Sequence, residues 1–200
     1  MMDSRILQIE GWMHEIELNW LNIIAQKVPE NGLIVEIGAW MGRGSTAIYT
    51  GANGKRRVVS IDTWKGSPDE PEHEIVKVKD IFALYKLNTS FLGFYPSAYV
   101  PKTDLNGTYY IIGDSADSAP MFEDCSIDWL FIDGWHTHFY RDLDAYLPKM
   151  KTNGLLSGHD YFCFYEHIQQ EIHKRFFINQ VVHSIWIRYM GGYFPPEWLL

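Results

Sequence analysis

Five short apolar runs along this chain end on or beside a carboxylate, and that recurrence restricts the fold more than any other feature. Run 33–37 carries Glu36, run 57–61 is followed by Asp62, and run 109–112 leads into Gly113-Asp114-Ser115. Run 127–132 is followed by Asp133-Gly134, and run 154–157 leads into His159-Asp160. Short apolar runs bounded by turn residues suit strands buried on both faces of a parallel sheet. Helical stretches alternate with them. One covers about 14–27, with Ile16, Trp20, Ile23, Ile24 and Lys27 at helical spacing. A second starts at Ser45, and a third covers about 138–147 and stops at Pro148. The alternation predicts βαβ units in a Rossmann-like, doubly wound α/β fold: a mostly parallel seven-stranded sheet with helices on both faces. Ligands bind outside the carboxyl ends of strands in such a sheet, so the five acids converge on one edge.

Two hundred residues, 46% of them apolar, suffice for one domain with a buried sheet. The reading is a single domain over 1–200, with an N-terminal helical segment over 1–30. Residues 66–106 break the strand–helix rhythm: a polar, Pro-rich loop, a helical stretch at about 73–86, then the aromatic Phe91-Leu92-Gly93-Phe94-Tyr95-Pro96. This predicts an inserted cap or lid, with an ordinary crossover helix and long loop as the competing reading. Beyond Asp160, 164–176 reads as a helix and 179–189 as a strand. Gly191-Gly192 and 197–200 read as a turn and a last short strand or tail.

Composition excludes several functions. A net charge of −8 leaves no basic footprint for nucleic acid. The N-terminus mixes acids with apolar residues and has no signal-peptide core, and no apolar stretch reaches the ~18 residues of a membrane span. The expectation is a cytoplasmic protein with no membrane or nucleic-acid partner. Cys125 and Cys163 have no metal or redox spacing. His138, His167, His173 and His183 are scattered and read as solvated or packing residues. The 16% aromatic content suits either a packed core or a pocket that stacks on rings or sugars.

Chemistry concentrates in Val35-Glu36-Ile37-Gly38-Ala39-Trp40-Met41-Gly42-Arg43-Gly44-Ser45. Glycines let the backbone turn tightly against a ligand, and the following helix start offers unpaired N–H groups. The spacing is G-x-x-x-G-x-G, whereas dinucleotide folds need G-x-G-x-x-G. A carboxylate at Glu36 would repel a pyrophosphate and suits a cationic ligand, which favours S-adenosylmethionine over NAD. Arg43 could reach a ligand carboxylate. Asp62 is placed to accept hydrogen bonds from ribose hydroxyls, with an N-cap or turn as its competing use. Asp114-Ser115 lies where an adenine amino group would be reached, with an N-cap role equally open.

VEIGAWMGRGSTAI, VVSIDTWKGS, IIGDSADSAP and IDWLFIDGWHTHFYRDLDAYLPKMKTNGLLSGHDY, in that order, resemble successive motifs of class I S-adenosylmethionine-dependent methyltransferases. The I-D-G-x-H pattern at 132–136 resembles a small subfamily that methylates hydroxyls of sugars, glycans and natural products, several members with a divalent metal. The resemblance covers about 33–163. It implies that Glu36, Gly38 and Ser45 hold the methionine part, Asp62 the ribose, and Asp114 with Ser115 the adenine. It also implies that Asp133 faces the methyl group, and that His136 acts as general base or contacts the acceptor. Asp133 and Asp160 would complete a site that suits Mg²⁺. His159-Asp160 stands where metal-using relatives often carry paired acids.

The function so implied is transfer of a methyl group to a hydroxyl of a small acceptor, a sugar or glycan. The competing reading is an S-adenosylmethionine-binding protein without transfer activity that partners a glycan-modifying enzyme. The aromatic insertion and the N-terminal helix also leave a homo-oligomer open.

Overall fold

The computed structural model of the protein describes residues 2–163 and 166–191. Its strands are β1 (Leu33–Ile37), β2 (Arg57–Asp62), β3 (Ser97–Ala98), β4 (Gly107–Ile112), β5 (Ile127–Ile132), β6 (Met150–Gly158), β7 (Gln180–Val182) and β8 (Ile185–Tyr189). They form one sheet in the order β3-β4-β2-β1-β5-β6-β8-β7. All pairings are parallel except β6 with β8 and β7 with β8.

The sheet is doubly wound and mostly parallel as expected, but it has eight strands among the described residues instead of seven. The two-residue β3 joins the edge. The run over 179–189 folds into a hairpin, because His183 takes a left-handed turn at φ +54°. The expected last strand or tail at 197–200 lies outside the described residues.

Alternation within the strands divides the core in two. Ile34, Val58, Trp129 and Phe131 face α1 (Glu15–Lys27) and α2 (Arg43–Ala52). Val35, Val59, Leu130 and Ile132 face the layer that includes α5 (Phe139–Tyr146) and α6 (Gln169–Arg175). Helices therefore cover both faces, which is what strands apolar on both sides require.

Local readings shift in three places. In α1 the buried stripe includes Leu18, Leu21, Ile24 and Ala25, while Ile16 and Ile23 lie exposed. The buried set includes Glu17, an acid that apolar periodicity alone would have assigned to solvent. The helix expected at 73–86 is two pieces, a 3₁₀ turn at Pro71–Lys77 and α3 (Ile81–Phe91). Asp80 starts the second piece by accepting the Ala83 N–H at 2.9 Å. Within the expected helix 164–176, α6 occupies only Gln169–Arg175, and positions 164 and 165 are not described.

The order of strands creates the crevice. From β1 the chain moves outward to β2 and β4, then returns to the other side of β1 as β5, so the winding reverses between β1 and β5. There Gly38 donates its N–H to Ile61 O at 2.9 Å and Asp133 donates its N–H to Ile37 O at 2.8 Å. A switch point of this kind is where open α/β sheets bind ligands.

Candidate active site

A cavity of about 480 Å³ opens above this switch point. That size suits a small-molecule ligand. Gly38 forms its floor with φ +89°, and a Cβ there would lie 2.0 Å from the Asp133 carbonyl oxygen. Only glycine permits that approach. Gly42, at φ +90°, then turns the chain into α2.

Asp62 lines the cavity and is committed to shaping the loop. Its Oδ2 accepts the Trp40 N–H at 2.8 Å and its Oδ1 accepts the Trp64 N–H at 2.6 Å. Burial raises its pKa, and these backbone hydrogen bonds oppose the rise. Asp114 and Ser115 also line the cavity. Asp114 caps α4 (Ser115–Ser118) by accepting the Asp117 N–H at 3.1 Å, and it pairs with Arg141 at 3.2 Å. The Ser115 hydroxyl donates to the Asp142 carboxylate.

Glu36 and Ser45 are together, but they do not line the cavity. Glu36 is 1% exposed and lies under the loop, where its Oε2 accepts the Ser45 hydroxyl at 2.6 Å and the Ser60 hydroxyl at 2.5 Å. Burial pushes its pKa up to about 8 against the pull of both serines. Glu36 is therefore mostly neutral at pH 7, and the charge argument built on it from the sequence has to be corrected. Ionised acids that do line the cavity include Glu17 and Asp160. Burial acts to raise each, but histidine partners win and hold Glu17 down at about 2 and Asp160 below the usual carboxylate range.

At the other end of the cavity the ends of β5 and β6 bring Asp133, His159 and Asp160 together, with one donor atom from each inside a 4.8 Å span. Asp160 adopts φ +56°, a left-handed turn that Asp tolerates better than most residues. His159 Nδ1 lies 3.3 Å from Asp133 Oδ1 and 3.1 Å from Asp160 Oδ2. Its Nε2–H donates to Glu17 Oε1 at 3.0 Å. Burial lowers the basicity of His159, but the surrounding carboxylates more than reverse that, so a cation between them would take the place of the Nδ1 proton. Burial raises Asp133.

These residues fit a divalent cation. Around an octahedral ion with bonds of about 2.1 Å, neighbouring ligand atoms sit about 3 Å apart, close to the observed spacings. Imidazole nitrogen with two carboxylates is also a donor set that divalent metals use. His159 would add a donor to the Asp133–Asp160 pair expected from the sequence.

His136 sits between two acids. Its Nδ1 lies 2.8 Å from Glu70 Oε1 and its Nε2 lies 2.9 Å from Asp160 Oδ2. Burial lowers its pKa, but the two acids carry it up to about 10. In its protonated form the ring donates to both acids, and the general-base role expected of it would first require loss of that proton. Glu70 belongs to the Pro-rich segment 66–73, and it also lies 3.2 Å from His73. The neighbouring Asp69 accepts the Trp135 indole N–H and the Thr137 hydroxyl, the latter at 2.6 Å. Trp40 stacks on His73 at 4.5 Å between ring centroids, and Trp12, 59% exposed, lies 5.7 Å from Trp40.

Sequence reasoning missed Glu17, Glu70 and His183. Nothing in the sequence singles Glu17 out among the acids of the N-terminus; it accepts the His14 N–H at 2.7 Å as part of a capping box. Its other oxygen serves the site, 142 residues away in sequence at His159. His183, read as solvated or packing, donates from Nδ1 to the same Glu17 oxygen at 2.9 Å and stacks on His14. No local pattern marks such long-range pairs.

A glycine loop at a winding reversal, flanked by acids at the neighbouring strand ends, is the arrangement with which open α/β folds hold a nucleoside cofactor, and class I methyltransferases that use S-adenosylmethionine are one such class. The chain belongs to the family described as a methyltransferase domain, whose model matches residues 35–161, from β1 to just past the His159-Asp160 turn. No curated protein sequence matches it.

Solved structures share its fold. A Corynebacterium glutamicum protein superposes with a TM-score of 0.63 at 13% identity, covering 92% of this chain and 88% of that one. A Podospora anserina methyltransferase bound to S-adenosylhomocysteine gives 0.60 at 15% identity, covering 89% and 80%. An O-methyltransferase from Bacillus cereus, also in complex with S-adenosylhomocysteine, gives 0.59 at 16% identity, covering 85% and 72%. Among the described residues, no helix is long and apolar enough to cross a membrane.

Proposed function

We propose that this methyltransferase moves the methyl group of S-adenosylmethionine to a hydroxyl of a small acceptor, a sugar or glycan end, with a divalent cation such as Mg²⁺ at Asp133, His159 and Asp160. The observation that carries the reading is the meeting, in one cavity, of the Gly38 loop with those three side chains. In this reading Gly38 and the α2 start receive the methionine part, Asp62 faces the ribose, and Asp114 with Ser115 faces the adenine. Glu36 and Ser45 act from beneath the loop by holding its shape.

The reaction forms a carbon–oxygen bond to the acceptor, breaks the sulfur–methyl bond and releases the hydroxyl proton. The sulfonium supplies the methyl group as an electrophile. A bound divalent cation would lower the pKa of an acceptor hydroxyl. Asp133 would hold the cation through one carboxylate oxygen and take the hydroxyl proton on the other. His136 keeps its own proton and orients Asp160. Trp12, which lines the cavity and is 59% exposed, offers an apolar plane on which a sugar ring can rest.

The test is turnover of methyl-labelled S-adenosylmethionine with a panel of free sugars and glycosides, before and after EDTA. The expected result is labelled methyl ether with loss on chelation and recovery with Mg²⁺ or Mn²⁺. Activity indifferent to EDTA would remove the metal from the reading. Transfer to nitrogen or carbon acceptors alone would remove the hydroxyl.

A further inference from the structure

We propose that Glu17, on the N-terminal helix, is a positioning residue that fixes His159 so that its Nδ1 faces the cation position between Asp133 and Asp160. The inference rests on the divalent-cation reading above and extends it to a helix that precedes the family match at residues 35–161.

An imidazole can present only one nitrogen to a cation when the other is bound as an N–H donor, and the partner of that N–H selects the tautomer and the ring orientation. Glu17 is that partner. It is 1% exposed, and its Oε1 accepts His159 Nε2–H at 3.0 Å, His183 Nδ1–H at 2.9 Å and the Ser184 N–H at 3.1 Å. Its Oε2 accepts the His14 N–H at 2.7 Å. Four donors from three parts of the chain hold the carboxylate still. His159 itself is 6% exposed and has no room to swing away. With Nε2 occupied, Nδ1 is left 3.3 Å from Asp133 Oδ1 and 3.1 Å from Asp160 Oδ2. The result is a carboxylate–histidine–cation relay whose outer member comes from α1.

The experiment titrates Mn²⁺ into wild type, Glu17→Gln and Asp160→Asn, read by the free-Mn²⁺ electron paramagnetic resonance signal. S-adenosylhomocysteine binding and the melting curve serve as fold controls. Wild type should bind Mn²⁺, Asp160→Asn should lose binding, and Glu17→Gln should weaken it by about 10- to 100-fold while still binding S-adenosylhomocysteine. If wild type binds no Mn²⁺, the cation reading fails and this inference falls with it. If wild type binds and Glu17→Gln binds equally well, the cation reading stands and Glu17 has no positioning role.

Should Glu17→Gln not fold, nitrogen-15 NMR of histidine-labelled wild type with Zn²⁺ gives the answer directly. His159 protonated at Nε2 with Nδ1 shifted by the metal supports the assignment. Nε2 shifted by the metal, or a ring untouched by it, overturns it.

Discussion

Gly38 is the residue on which the site turns, and its requirement is steric before it is chemical. A methyl group there would meet the Asp133 carbonyl oxygen at 2.0 Å, and the backbone already stands at φ +89°. Gly38 directly follows β1 and Asp133 directly follows β5, so two central strands fix both positions. Gly38→Ala should lower stability by about 2 kcal/mol or more and abolish S-adenosylhomocysteine binding, as calorimetry and a melting curve would show. Wild-type binding in that variant would mean the loop approaches the ligand elsewhere.

Glu36, two residues earlier, makes a different prediction. Its carboxyl is raised from an ordinary 4.5 to about 8, so the folded state keeps a proton that the unfolded chain loses. The stability this contributes is fully present below about pH 4.5 and is lost as pH rises to about 8. The slope approaches 1.4 kcal/mol per pH unit between those limits. The stability of wild type relative to Glu36→Gln should fall across pH 5–8 in urea titrations, and parallel curves would refute the neutral acid.

At the scale of elements, the segment at 66–73 is held over the cavity by polar side chains together with the stack of Trp40 on His73. Glu70 reaches His136 and His73, while Asp69 reaches Trp135 and Thr137. A segment fixed by a few such contacts opens locally at small cost. Glu70→Gln should therefore raise amide hydrogen exchange across 66–77 several-fold while leaving β1 and β5 unchanged, measured by mass spectrometry. Unaltered exchange at 66–77 would show that the aromatic stack of Trp40 on His73 suffices to hold it.

The same elements show what a sequence can and cannot disclose. β1, β2 and β5 were legible because burial on both faces demands apolar runs, and the acids at their ends follow from where those runs stop; β4, only partly buried, was legible from its Tyr-Tyr-Ile-Ile run alone. The α1 face was misjudged because Ile16 and Ile23 supplied periodicity while an acid, Glu17, took an inner position. Charge normally marks a helix face as solvated, and only distant donors make an exception affordable. The pairing of Glu70 with His136 was hidden for the same reason: it joins two loops 66 residues apart, and neither loop carries a pattern for the other.

Taken over the whole molecule, charge limits which acceptor the cavity admits. The chain carries −8 overall, and among the described residues the cavity lining includes the acids Glu17, Asp62, Glu70, Asp114, Asp133 and Asp160 against the cations Arg43, His136 and His159, so acid charge is in excess. Arg43 is itself engaged, its guanidinium donating to the Ile9 and Gly11 carbonyls at 3.0 Å each. A concave, partly desolvated site focuses such a field and acts on a substrate before contact. Neutral acceptors feel little of it, whereas a phosphorylated sugar must enter against it. For a matched pair, a neutral glycoside and its phosphate ester remote from the reacting hydroxyl, kcat/KM should favour the neutral compound by about tenfold or more at low salt. The gap should narrow as ionic strength rises, because the Debye length falls from about 30 Å at 0.01 M to about 8 Å at 0.15 M. The preference should appear mainly in KM, since the field opposes entry more than transfer. An equal or better rate for the phosphate ester, insensitive to salt, would mean that the bound cation dominates the field and recruits anionic acceptors.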